Sequence, residues 1–116
     1  MKISVIGCGY VGLVSGVCFA DSGHIVTCID NDEKKIQLLK DNKVPIYEPG
    51  LDELLLKNVR KNNLRFDLNI NENIQDSEIV FIAVGTPTGE NGEANLSFIH
   101  QCANEIAEFI SPNTYI

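Results

Sequence analysis

The feature that most constrains this chain is its opening. The apolar and β-branched run Lys2-Ile3-Ser4-Val5-Ile6 passes directly into Gly7-Cys8-Gly9-Tyr10-Val11-Gly12 and then into a helical pattern. G-x-G-x-x-G set between a strand and a helix is the fingerprint of a dinucleotide-binding βαβ unit, and each glycine has its own physical role. Gly7 permits the tight turn, Gly9 lets the backbone approach a pyrophosphate, and Gly12 removes a side chain that would hold the helix off the sheet. The free N–H groups and positive dipole end of that helix then favour a diphosphate. Gly16 and Ala20 continue Gly12 at four-residue intervals, so one whole helix face is small.

Downstream, apolar runs of strand length alternate with helical patterns, as βαβ units feeding a parallel sheet require. The pattern predicts strands over Lys2–Ile6 and Ile25–Ile29, a short outer strand over Leu64–Leu68, and a fourth over Glu78–Val84. That fourth strand is nearly all apolar, as a central strand covered on both faces would be. Helices are predicted over about Tyr10–Ser22, with Gly23 as left-handed cap, and over Asp32–Asp41, Leu51–Lys61 and Leu96–Ile110. Ile70–Gln75 has room for one or two helical turns, and the stretch Val44 to Gly50 is a connector broken by Pro45 and Pro49-Gly50. In the last helix Ile99, Cys102, Ala103, Ile106 and Ile110 form an apolar stripe. Thr114-Tyr115-Ile116 resembles the first half of a fifth strand. The expected architecture is therefore a doubly wound parallel α/β domain of the Rossmann type occupying residues 1–116, truncated within its fifth strand.

Charge and composition narrow the function classes. A formal net charge of −7 repels a phosphate backbone, which argues against non-specific nucleic-acid binding. No apolar run approaches the roughly 18 residues of a membrane span, and the N-terminus lacks a signal-peptide pattern, so a cytoplasmic protein is expected. Cys8, Cys18, Cys28 and Cys102 show no C-x-x-C and no His placed as a fellow ligand, so they read as buried free thiols, with no metal site.

Asp30 ends the second strand 18 residues beyond Gly12, where a dinucleotide fold places the carboxylate that accepts from the adenosine ribose hydroxyls. The competing reading makes Asp30 and Glu33 a capping box for the following helix. Asn31-Asp32-Glu33 adds negative charge and no Arg, so a 2′-phosphate would meet repulsion; the expected cofactor is NAD and not NADP. Lys35 lies near the adenosine end, either as a cofactor contact or as a solvated surface lysine. Thr86, in the loop leaving the fourth strand, either offers its hydroxyl to the cofactor or caps the loop. His24, His100 and Cys8 have no nucleophile, base or carboxylate to pair with in the sequence, so no catalytic residue is expected in this chain.

Three blocks carry a resemblance. Lys2-Ile3-Ser4-Val5-Ile6-Gly7-Cys8-Gly9-Tyr10-Val11-Gly12-Leu13 resembles K-I-x-V-x-G-x-G-Y-V-G-L, in which Tyr10 and Val11 are more diagnostic than the glycines. Pro45-Ile46-Tyr47-Glu48-Pro49-Gly50-Leu51 is similar to P-I-x-E-P-G-L. Val84-Gly85-Thr86-Pro87 with Asn91-Gly92 and Asn95-Leu96 resembles V-G-T-P, D/N-G and D-L, with Asn95 departing from the usual Asp. These are blocks of the UDP-glucose/GDP-mannose dehydrogenase family, and the similarity covers essentially the whole chain. The resemblance implies that Val11, Asp30, Lys35 and Thr86 contact the cofactor, alongside Gly7, Gly9, Tyr10 and Gly12 of the fingerprint. It implies a parent enzyme, expected to be a homo-oligomer, that oxidises UDP-glucose to UDP-glucuronate in two NAD-dependent steps through a thioester on a cysteine. GDP-mannose and UDP-N-acetylhexosamines are the alternative substrates, because the sugar-reading residues are absent here. The family's G-G-S-C-F-type cysteine motif has no match in the chain, so the nucleotide sugar is expected to bind a further domain and the segment alone to be inactive. Rival readings are an NAD-sensing regulatory module of potassium transport and dehydrogenases of the 3-hydroxyacid or 6-phosphogluconate type. The Tyr47–Leu51 connector and the Gly85-Thr86-Pro87 loop have no counterpart in the sensor module.

Overall fold

Alternation along the strands sorts the core into two layers. In β1 (Lys2–Ile6) and β2 (Ile25–Ile29), Ile3, Val5, Val26 and Cys28 point to one face while Ser4, Ile6, Thr27 and Ile29 point to the other. The computed structural model describes residues 1–116, and its sheet runs β3-β2-β1-β4, all parallel, with β3 at Leu64–Asp67 and β4 at Ile79–Ile82. Ile6 stands opposite Ile29 on one side and Ile82 on the other, so β1 is the central strand where the chain reverses its winding. Ligands of open parallel sheets lie beyond the carboxyl ends of the strands at that reversal.

The helices cover both faces. On the first, α1 (Tyr10–Asp21), α2 (Glu33–Lys40) and α3 (Leu51–Arg60) bury Leu13, Val17, Ile36, Leu39 and Leu55 against Val5, Val26 and Phe66. On the second, α4 (Asn71–Ile74) and α5 (Ser97–Phe109) close over Ile6, Ile29 and Val80 with Ile74, Cys102 and Ile106. Each large aliphatic side chain so buried contributes about 1.5–3 kcal/mol. α1 ends as predicted: Gly23 adopts φ +99° and its N–H donates to the Ala20 carbonyl at 3.0 Å. No helix is long and apolar enough to cross a membrane.

Several details depart from expectation. β4 is not covered on both faces: Val80 is buried but Phe81 is 40% exposed, stacked on Phe19 of α1 with ring centroids 5.0 Å apart. Tyr115 forms a single parallel bridge to Ile79, so the expected half strand is present only as its first pairing. Cys18 is exposed, since it falls on the outward face of α1, whereas Cys8, Cys28 and Cys102 are buried free thiols as expected. The α5 stripe is also narrower than predicted. Cys102 and Ile106 are buried, Ile99 and Ile110 are half-buried and Ala103 is exposed, because the helix meets the sheet along one seam.

The small face of α1 is a packing requirement. A Cβ on Gly16 would lie 2.5 Å from the Cys28 sulfur in the core of β2. Gly16→Ala should therefore cost about 1–3 kcal/mol by overpacking. Urea unfolding should show a lower midpoint at unchanged slope, with part of the loss recovered in Gly16→Ala/Cys28→Ala. An unchanged midpoint would mean that α1 does not rest on β2 at this point.

Candidate dinucleotide site

The turn after β1 is built by two glycines and opened by a third. Gly7 takes φ +104°, and a Cβ there would also stand 2.4 Å from the Ala83 carbonyl oxygen. Its N–H donates to the Ile29 carbonyl at 2.7 Å, which ties the end of β1 to β2. At Gly12 a Cβ would lie 1.8 Å from the Gly7 carbonyl oxygen, so α1 folds back against its own turn only because that atom is missing. Gly9 differs: its φ of −73° suits any residue, and nothing lies within 4 Å of a Cβ built on it. It caps α1 without a side-chain hydrogen bond, and the first turn of α1 carries no acidic residue. By contrast, the first turn of α2 holds Glu33 and that of α3 holds Asp52 and Glu53. The amide end of α1 is thus left free for an anion.

Asp30 closes the site from β2. Its Oδ2 accepts the Cys8 N–H at 2.8 Å and its Oδ1 accepts the Asp32 N–H at 2.9 Å. Lys35 Nζ lies 3.7 Å from the same Oδ2. The capping alternative falls to a neighbour, because Asp32 caps α2 by accepting the Lys35 N–H at 3.1 Å. Asp30 is released from helix capping and used to hold the Gly-rich turn.

Between these parts opens a cleft of about 710 Å³. Gly7, Gly9, Tyr10, Val11, Asp30, Lys35 and Thr86 all line it; of the predicted residues only Gly12 does not, lying beneath the turn as a packing residue. Thr86 is exposed and caps no helix; at the start of α5 it is Asn95 whose Oδ1 accepts the Ser97 N–H, at 3.0 Å. Sequence reasoning missed the opposite wall: Leu68 and Ile70 after β3, and Phe98, Gln101 and Glu105 on α5. None of these belongs to a motif; Leu68 and Ile70 have the one signal of following the carboxyl end of β3, and the three α5 residues have none. Asp67 supports that wall by accepting the N–H groups of Leu68 at 2.6 Å and Asn69 at 3.2 Å. Burial alone would raise its carboxyl, but hydrogen bonds from Asn73, Asn69 and Leu68 hold it below the usual range.

The cleft contains no nucleophile–base pair. Cys102 lines it, yet burial, followed by the charge of Glu105, pushes its thiol up to about 11, so it is not a thiolate at neutral pH. Cys8 is fully buried, and Cys28 is raised by its hydrogen bond with Cys8 and by burial. His24 and His100 lie outside the cleft, and no three ligating side chains gather as a metal site.

Comparison with known proteins agrees with this geometry. Residues 1–116 match the model described as UDP-glucose/GDP-mannose dehydrogenase family, NAD binding domain. The chain is 54% identical over 108 residues to a UDP-glucose 6-dehydrogenase of Rhizobium meliloti, covering 92% of this chain and 25% of the relative. It is 51% identical over 110 residues to UDP-glucose 6-dehydrogenase TuaD of Bacillus subtilis, covering 95% and 24% respectively. Among solved structures, a ternary complex of GDP-mannose dehydrogenase from Pseudomonas aeruginosa superposes with a TM-score of 0.88 at 39% identity, covering 91% of this chain and 24% of that one. The chain thus spans about a quarter of the length of its relatives. These matches set aside the potassium-transport reading.

Gly9 and Gly12 should separate in stability measurements. Gly12→Ala, which drives a Cβ into a backbone carbonyl, should cost toward the upper end of about 1–3 kcal/mol. Gly9→Ala should cost less than about 1 kcal/mol, the change from a fair to a poor N-cap residue. Equal losses in denaturant unfolding would show that Gly9 is also held by packing.

Proposed function

The chain belongs to the UDP-glucose/GDP-mannose dehydrogenase family as its NAD-binding domain, and from that premise we propose that it is the cofactor half of an NAD-dependent nucleotide-sugar 6-dehydrogenase acting on UDP-glucose. Asp30 carries the reading. A carboxylate has about four acceptor sites; two here are taken by the N–H groups of Cys8 and Asp32, which leaves two for a vicinal diol such as the adenosine ribose. Gly9 and the unacidified amide end of α1 accommodate the diphosphate, Lys35 stands beside Asp30 at the adenosine end, and Val11 and Thr86 line the same cleft. Tyr10 closes the same side, and Gly7 and Gly12 shape the turn beneath. These residues fit the dinucleotide: the space beside Gly9 is open, and the Asp30 carboxylate borders it.

When bound, NAD supplies the hydride acceptor. The protein's part in this segment is to bind and orient it. The sugar, the base that takes its 6-hydroxyl proton and the cysteine nucleophile belong, in this reading, to further domains of a longer, homo-oligomeric, cytoplasmic polypeptide. The high identity to UDP-glucose 6-dehydrogenases supports UDP-glucose. The structural likeness to a GDP-mannose dehydrogenase favours GDP-mannose as the second reading, since the residues of this segment border the cofactor and not the sugar.

The test is cofactor titration of the full-length protein. NAD should be strongly preferred over NADP, whose 2′-phosphate would face Asp30 with the one nearby cation, Lys35, already paired to it. Asp30→Ala should weaken NAD binding by about 1–3 kcal/mol through loss of charge-assisted hydrogen bonds. Gly9→Val should abolish binding while leaving the fold intact. Equal affinity of the unsubstituted protein for both cofactors would defeat the Asp30 assignment.

A further inference from the structure

One hydrogen bond ties a side chain of the Gly-rich fingerprint, Tyr10, to a residue outside it, Glu48 of the connector. The connector between α2 and α3 has no helix or strand, yet it is not loose: Val44 and Ile46 pack on the core, Pro45 and Pro49 limit its backbone, and the Glu48 carbonyl accepts the Leu51 N–H at 3.2 Å. Glu48 is therefore fixed at both sides, and no Lys or Arg lies within ion-pair distance of it. Its carboxylate is used instead as the acceptor for the Tyr10 hydroxyl. Tyr10 is the first residue of α1, next to Gly9, and its ring lines the cleft while remaining half exposed. A half-exposed aromatic ring with two free torsions would otherwise sample several rotamers, so the hydrogen bond selects one.

We propose that Glu48 is a positioning residue of the cofactor cleft, holding the Tyr10 ring in its cleft-lining orientation and so coupling the 41–50 connector to dinucleotide binding. This rests on the cleft's being the NAD site. Glu48 touches no cofactor itself; it acts through Tyr10. The hydrogen bond and the adjacent negative charge also hold the Tyr10 phenol above its ordinary pKa, which supplies a signature that a generic structural residue would lack.

The experiment measures NAD affinity calorimetrically in the full-length protein, together with ionisation of the Tyr10 ring by NMR, the resonance being identified by its loss in Tyr10→Phe. Glu48→Ala and Tyr10→Phe should each weaken NAD binding by about three- to tenfold, the range for one lost hydrogen bond. The double variant should be no weaker than either single one. Glu48→Gln, which keeps an acceptor oxygen, should bind within about twofold of the parent, with an unchanged melting temperature confirming its fold. The Tyr10 phenol should titrate lower in Glu48→Ala than in the parent. Parent-like NAD affinity in Glu48→Ala, or additive losses in the double variant, would overturn the proposal while leaving the NAD reading intact. Absence of NAD binding in the unsubstituted protein would overturn both.

Discussion

Everything at the carboxyl edge of this sheet depends on how closely α1 can return to the turn that produces it. The Gly7 carbonyl occupies the space that a side chain at residue 12 would need, and the Gly7 amide is bonded to Ile29 on the neighbouring strand. If the helix were displaced outward, its free amide end would no longer stand against the turn after β1, and Leu13 and Val17 would lift from the core they share with Val5. The dipole effect falls off within a single turn, so a displacement of that size is enough to weaken the anion site. Packing at two glycines thereby fixes an electrostatic feature.

Asp30 adds the second constraint. By accepting the Cys8 N–H it joins the turn of β1 to the end of β2, and by accepting the Asp32 N–H it sets where α2 begins. The pair with Lys35 is partly exposed, and pairs of that kind contribute at most about 1 kcal/mol, so the two charge-assisted backbone bonds do most of the fixing. One carboxylate thus orders two loops before any ligand arrives. Such preorganisation lowers the entropy that binding a ligand at this carboxylate would cost.

The backbone of this arrangement is legible in the sequence because its signals are local. Strand–glycine–helix adjacency identifies Gly7, Gly9 and Gly12, and spacing identifies Asp30. Adjacency does not divide the work among the three glycines, since Gly9 is unconstrained by packing and only the folded structure shows that it lines an open cleft. Leu68 and Ile70, which follow β3, and Phe98 on α5, beyond β4, stay hidden because they meet only in the folded chain, a long-range relation without a motif. The apolar run of β4 reads as doubly covered because burial depends on neighbouring elements, and hydrophobicity alone does not supply them; Phe81 instead rests on Phe19 with its other side open. Cys18 departs from expectation for the same reason, since cysteine is usually buried and a helix nonetheless has an outer face.

An acidic chain that takes a doubly phosphorylated ligand faces a problem of sign, and the rim of the cleft shows how it is met. With a net charge of −7 the overall field opposes the ligand, so the carboxylates around the strand ends and the start of α1 have to be engaged. Asp30 is engaged by two amides and Lys35, Asp67 by the amides of Leu68 and Asn69, and Glu48 by the Tyr10 hydroxyl. Glu105 borders the cleft from α5, on the wall opposite the Gly-rich turn. The first turn of α1, where the phosphates would lie, has no acidic side chain. Asp30, Asp67 and Glu48 are therefore each turned to a structural use, and the first turn of α1 is left without an acidic side chain of its own. Local arrangement of donors, rather than net charge, decides what this surface can bind.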